Sequence, residues 1–284
     1  MAGLQQDRSA FSYSAKGQKS CQPTALAGLA LLADDGKRPL AVAAGQFLAK
    51  IQQVDGSVGL TATLDHPRWV TSLALLLWSA LPEIDEKVKN KAIEWLLKTE
   101  GVTFPDAKDR DHDNSIPGWP WFEGNYSWIE PTCYALLALS RQGKNTHARC
   151  KQGFKLLLDR ALPAGGWNYG SVSLYGNPLR PQVPTTGIAL LALSCAEKPP
   201  APALIDKACQ YIQRSLHAEQ TPKSLGWGML GLRAWGRLPQ AHDEWLAQCW
   251  SKSGNRTENA LELALFILAA WPESLRYIGC QRER

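Results

Sequence analysis

The chain has 284 residues, 45% hydrophobic and 20% charged, a balance that supports a sizeable core and excludes a disordered chain. Its 31 basic and 26 acidic residues leave a net charge of +5, with no basic stripe along one element, so nucleic-acid binding is not expected. Seven cysteines without a CxxC pair, several inside apolar runs, suit free thiols in a reducing cytoplasm better than a disulfide framework.

The opening MAGLQQDRSAFSYSAKG lacks the apolar core of a signal peptide, and residues 1–18 read as a flexible arm. The first apolar run, Thr24-ALAGLALLA, is followed by AVAAGQFLAKIQQ (41–53), whose apolar residues recur at three- and four-residue spacing. The same succession recurs. Thr71-SLALLLWSAL precedes DEKVKNKAIEWLLKTE (85–100), and Thr132-CYALLALS precedes THARCKQGFKLLLDRAL (146–162). Thr186-GIALLALS precedes PALIDKACQYIQRSLHA (202–218), and the weaker GWGMLGLRAWG (226–236) leads to Thr257-ENALELALFILAAW. Runs that are apolar all round mark helices buried on every side, and the intervening amphipathic runs mark helices with one wet face. None reaches the ~18 residues expected of a membrane span.

Buried and half-exposed helices in alternation have a geometric solution. Inner helices form one ring and amphipathic helices a second ring around it, because no pair can bury itself alone. The chain therefore reads as one all-α domain over 1–284, an (α/α)6 toroid, with an open superhelix as the competing arrangement. The hydroxyl residues opening the inner runs fit N-terminal caps, and Pro23, Pro131 and Pro184 stand where a missing N–H costs little.

The loops carry a family likeness. Gln53-Val-Asp-Gly56-Ser-Val58 resembles the glutamine–tryptophan repeat of squalene and oxidosqualene cyclases, with valine for the tryptophan. Pro163-Ala-Gly-Gly166-Trp167-Asn-Tyr169 resembles the glycine–tryptophan half, and Gly118-Trp119-Pro-Trp121 and Gly226-Trp227-Gly are looser echoes. The resemblance to the terpenoid cyclase and protein prenyltransferase superfamily implies a toroid and an isoprenoid or other apolar small molecule as partner. Full-length triterpene cyclases use two such domains, so a second chain completing the cavity is a further expectation, as is peripheral contact with a membrane.

In class II cyclases an aspartic acid at the start of an inner helix protonates an alkene or epoxide. Aligning Thr132 with the threonine of that motif places Glu130 at the acid position. The resemblance thus implies Glu130 as general acid, with Trp119, Trp121, Tyr126, Trp128, Tyr134, Trp167, Tyr169 and Trp227 lining the substrate site. Helix capping is the competing role for Glu130. Asp109, Asp111 and Asp113 form the densest acidic loop, which either faces water or holds Mg²⁺. A prenyltransferase-type zinc site is not expected, since Pro131 stands where its aspartate belongs. Neither is a thioester, since Cys21-Gln22 lacks the sequence context.

Overall fold

A computed structural model describes residues 5–6, 9–105, 111–218, 221–254 and 258–280. Six helices form the inner ring: α1 (Cys21–Leu31), α3 (Thr71–Ser79), α5 (Ile129–Arg141), α7 (Val183–Leu193), α9 (Pro222–Ala234) and α11 (Ala260–Ala270). Each packs on the next, and α11 packs back on α1, so the ring closes within the chain. The competing open superhelix is not what forms. Nearly every residue of α1, α3, α5 and α7 is buried, as their uniform apolarity requires.

The outer ring is α2 (Arg38–Lys50), α4 (Glu86–Lys98), α6 (Ala148–Asp159), α8 (Pro202–Ala218) and α10 (His242–Cys249). α4, α6 and α8 bury one stripe and leave the other face wet. The sixth outer position departs from the pattern. Here α12 (Leu275–Ile278) is a single turn that lies against α3 and α9 across the end where the inner helices finish. Beside α11, a groove of about 610 Å³ lined by Leu246, Trp250, Phe266, Ile267 and Trp271 stays open. The sequence reading did not anticipate α10 or α12; each is short, and α10 follows the weakest of the inner runs.

Two ribbons complete the structure. β1 (Gln5–Gln6) pairs antiparallel with β2 (Ala10–Phe11), and β3 (Ser173–Leu174) with β4 (Asn177–Pro178). Ala10, Phe11 and Ser12, within the stretch read as an arm, are fully buried.

The threonines that open the inner runs are not helix caps. The residues at the N-caps of α1, α3, α5 and α7 are Ser20, Val70, Trp128 and Gln182, and none makes a side-chain cap bond. Each threonine instead reaches back to the incoming loop. Thr24 Oγ1 accepts from Phe11 N at 2.9 Å, Thr71 from Val58 N at 2.8 Å, Thr132 from Trp119 N at 2.9 Å and Thr186 from Trp167 N at 3.0 Å. All four bonds are buried, and an unpaired N–H there would cost about 1–3 kcal/mol. The repeated threonine therefore latches the loop of each pair onto its inner helix.

The glycine–tryptophan echoes serve the same frame. Gly56 and Gly165 hold φ of +96° and +94°, the left-handed region where a side chain is strained. A Cβ on Gly56 would stand 2.3 Å from the Lys91 carbonyl oxygen of α4, and one on Gly165 would stand 2.9 Å from that of Lys207 of α8. Those two loops thus pack backbone to backbone on the next outer helix. Within the inner ring α7 and α9 approach closest, because a Cβ on Gly187 would meet the Trp227 carbonyl oxygen at 2.2 Å.

One cysteine reading is corrected. Cys195 and Cys280 form a disulfide across 85 residues of sequence, while Cys21, Cys133, Cys150, Cys209 and Cys249 are buried and not disulfide-bonded. The pairing was hidden because it depends on α12 turning across the ring to meet the end of α7. Among the described residues no helix is long and apolar enough to cross a membrane.

Candidate functional site

The inner helices all begin at one end of the ring, here called the mouth. Glu130 is the second residue of α5 and lies there, 8% exposed. Lys223, the second residue of α9, faces it, with Nζ 3.7 Å from Glu130 Oε1. Burial raises the Glu130 carboxyl above its ordinary value, and the Lys223 ammonium opposes that shift without cancelling it. The acid is thus held where its neutral form is favoured relative to water.

Four aromatic side chains cluster around Tyr134, whose phenol feels the Glu130 charge. Tyr134, one turn further along α5, stacks on Trp69 with centroids 5.7 Å apart and tilts against Trp227 of α9 at 5.9 Å. Trp69 meets Trp121 edge to face at 4.8 Å. Tyr134 and Trp227 are each 2% exposed, and burial followed by the nearby Glu130 charge drives the Tyr134 phenol well above its usual range. Such a group presents ring faces, which attract positive charge, one turn from an acid whose pKa is raised by burial.

The eight expected lining residues do not converge on one place. Trp121, Tyr134 and Trp227 join the mouth cluster. Trp119 and Trp167 point instead between the rings, where the Trp119 indole donates to Leu96 O of α4 at 2.9 Å and that of Trp167 to Leu157 O of α6 at 2.6 Å. They are wall anchors. Tyr126 and Trp128 line a separate cleft of about 500 Å³ with Phe104, His112, Ile116 and Arg160. In it Trp128 Nε1 and His112 Nδ1 are buried without partners. Tyr169 is half exposed, and its carbonyl accepts from Ile129 N at 2.9 Å, fixing the start of α5.

Two mouth residues were missed as site residues. Trp69 stands two positions before Thr71, as Glu130 does before Thr132, so the register that singled out Glu130 also marks Trp69. Lys223 occupies the matching helical position of α9, but that helix opens at Pro222, ahead of the run recognised in the sequence.

The acidic loop is engaged elsewhere. Asp113 accepts from Ser115 N at 2.8 Å and Ser115 Oγ at 2.6 Å, and these bonds lower its carboxyl below the ordinary range. Asp111 is bonded to Ser173, and Asp109 lies outside the described residues. Among the described residues no group of three His, Cys, Asp or Glu is gathered as a metal site requires.

The closed inner ring with its outer jacket is a terpenoid-cyclase-like α/α toroid. Solved structures share it at low identity. The type II terpene cyclase MstE from Scytonema, in a substituted form complexed with geranylgeranyl dihydroxybenzoate, is 13% identical over 90% of this chain and 88% of its own, with a TM-score of 0.58. The ent-copalyl diphosphate synthase from Streptomyces platensis is 15% identical at a TM-score of 0.56, over 92% of this chain but half of its own length. The GH76A alpha-1,6-mannanase from Salegentibacter aligns over 96% of both chains at 10% identity and a TM-score of 0.62. No protein-family model and no curated protein matches the sequence. Fold is therefore what the comparisons establish, because toroids host unrelated chemistries.

Proposed function

We propose that the protein is a class II, protonation-initiated terpenoid cyclase acting on an isoprenoid, with Glu130 as its general acid. One observation carries this reading: a buried carboxyl with a raised pKa lies one helical turn from Tyr134, which packs in one aromatic cluster with Trp69, Trp121 and Trp227. Alkene protonation needs a neutral acid sheltered from water, and the cation it generates needs π faces and no competing nucleophile. In this reading the Glu130 proton passes to a terminal alkene or epoxide. The positive charge then moves along the chain over the aromatic faces until a proton is lost.

A non-catalytic isoprenoid-binding toroid is the second reading, and the Lys223 contact at 3.7 Å favours it. An ammonium that close stabilises the carboxylate, the form that cannot donate a proton.

The two separate by experiment. Purified protein is incubated with squalene, farnesyl diphosphate and geranylgeranyl diphosphate, with and without Mg²⁺, beside Glu130→Gln. A cyclised product that falls by about 10²-fold or more in the variant supports the cyclase. Absence of product from every substrate, or an equally active variant, sinks it.

A further inference from the structure

At the end opposite the mouth, where the inner helices finish, a cavity of about 550 Å³ is walled by Arg38, Ser79, Ser140, Arg141, Arg276 and Tyr277. We propose that this cavity binds a small phosphoryl oxyanion, gripped by Arg141 from α5 and Arg276 from α12. The proposal is independent of the role given to Glu130.

The charges in the wall are not equivalent. Arg38 is spent on Glu83, which it holds through Nε and Nη2 at 3.0–3.1 Å. Arg276 has Glu273 only at 3.9 Å, and both side chains are more than half exposed, so that pair is weak and screened. Arg141 has no carboxylate within ion-pair distance among the described residues. Two guanidinium groups are therefore open to an anion.

Arg141 is also the exception when set beside the buried Arg149 and Arg160 and the half-buried Arg233. Arg149 gives its donors to the carbonyls of Thr99, Pro117 and Gly118. Arg233 donates to those of Leu268, Ala269 and Trp271 and to Ser274 Oγ, and Arg160 to Asp113 O and Asn114 Oδ1. By contrast Nε of Arg141 is buried with no partner, and so is the adjacent Ser140 Oγ. Arg141 and Ser140 both line the cavity with these atoms tucked behind its surface, and the terminal guanidinium N–H groups of Arg141, which make no hydrogen bond among the described residues, suit a ligand with several acceptor oxygens.

The plain alternative is that Arg141, in the last turn of α5, merely offsets the negative end of the helix dipole. That role would set its N–H groups on the terminal carbonyls, and Nε makes no such bond. The ends of α3 and α5 do oppose an anion. Each counts for roughly half a charge, less than two guanidinium groups supply. Burial meanwhile holds the Arg141 guanidinium below its ordinary range, and a bound oxyanion would relieve that cost. Planar guanidinium groups pair with phosphoryl oxygens two at a time, which sets the class of ligand.

The test titrates the intact protein with inorganic phosphate and with pyrophosphate, holding ionic strength constant with chloride, and reads binding by calorimetry and the rise in Tm. Saturable binding that weakens about tenfold or more in Arg141→Gln supports the site. Arg276→Gln, at an exposed position, gives the same readout should Arg141→Gln fail to fold. Flotation with phosphatidylcholine vesicles, with and without phosphatidic acid, separates the sources. Capture that depends on phosphatidic acid and on Arg276 assigns the oxyanion to a lipid headgroup, and binding of free phosphate alone assigns it to solution. The proposal is overturned if phosphate, pyrophosphate and phosphatidic acid all bind no better than chloride or plain vesicles, or if the folded variants bind as the wild type does.

Discussion

The two ends of the ring place charge in opposite ways on the same scaffold. At the mouth, an acid is buried one turn from Tyr134 and keeps one lysine within reach. At the far end, an arginine sits half buried with a donor unanswered, beneath a single-turn helix that crosses the ring. The wall between them is leucine and alanine, locked by threonine latches and indole anchors. Both proposed sites thus stand at helix ends, and the wall between them sets how far apart they stand. Thirteen residues of α5 put that separation at roughly 20 Å.

If the wall is common to both ends, damage there harms both together. Trp167→Ala removes a fully buried indole and its bond to Leu157 O, so about 3–5 kcal/mol of stability is expected to disappear. Chemical denaturation measures this, and a loss under 1 kcal/mol would mean that the indole is no anchor. Damage to the far end alone is smaller. Cys280→Ser releases the link to Cys195 that closes a loop spanning 85 residues, for about 2–4 kcal/mol. The same loss should follow reduction of the wild type. Unchanged Tm in both the variant and the reduced protein would show that α12 is held without the link.

The mouth yields the subtlest signal. The Glu130 carboxyl has a folded-state pKa above its unfolded value, so the folded protein binds the proton more tightly than the unfolded chain does. Its contribution is present below the unfolded pKa, near 4.5, and fades as pH rises through the raised folded value. Stability of Glu130→Gln should lack that decline, and denaturation curves across the acid range compare the two. Parallel curves would mean that Lys223 has already cancelled the burial of the acid.

The inner and outer layers were legible in the sequence because uniform apolarity and 3.6-residue amphipathicity are local signals. The place of Glu130 at the start of α5 was legible too, since it lies two residues before a repeated threonine. The role of that threonine was not. Thr132 resembles a cap in one dimension, and only the return of Trp119, 13 residues earlier, to its side chain shows what it holds. Lys223 and α12 were hidden for a related reason. One lies outside its recognisable run, and the other is defined by what it crosses, not by its own composition. Aromatic residues were the hardest to place, because a tryptophan that anchors a wall and one that lines a mouth look alike in sequence.

Ring closure has a consequence for how the chain is made. The first inner helix finds its second neighbour only when α11 arrives near the far end of the described chain. During synthesis α1 must therefore wait with an apolar flank uncovered. Pairings so distant in sequence are slow to form and expose sticky surface meanwhile. A nascent chain of this design has reason to need shelter at the ribosome until α11 emerges.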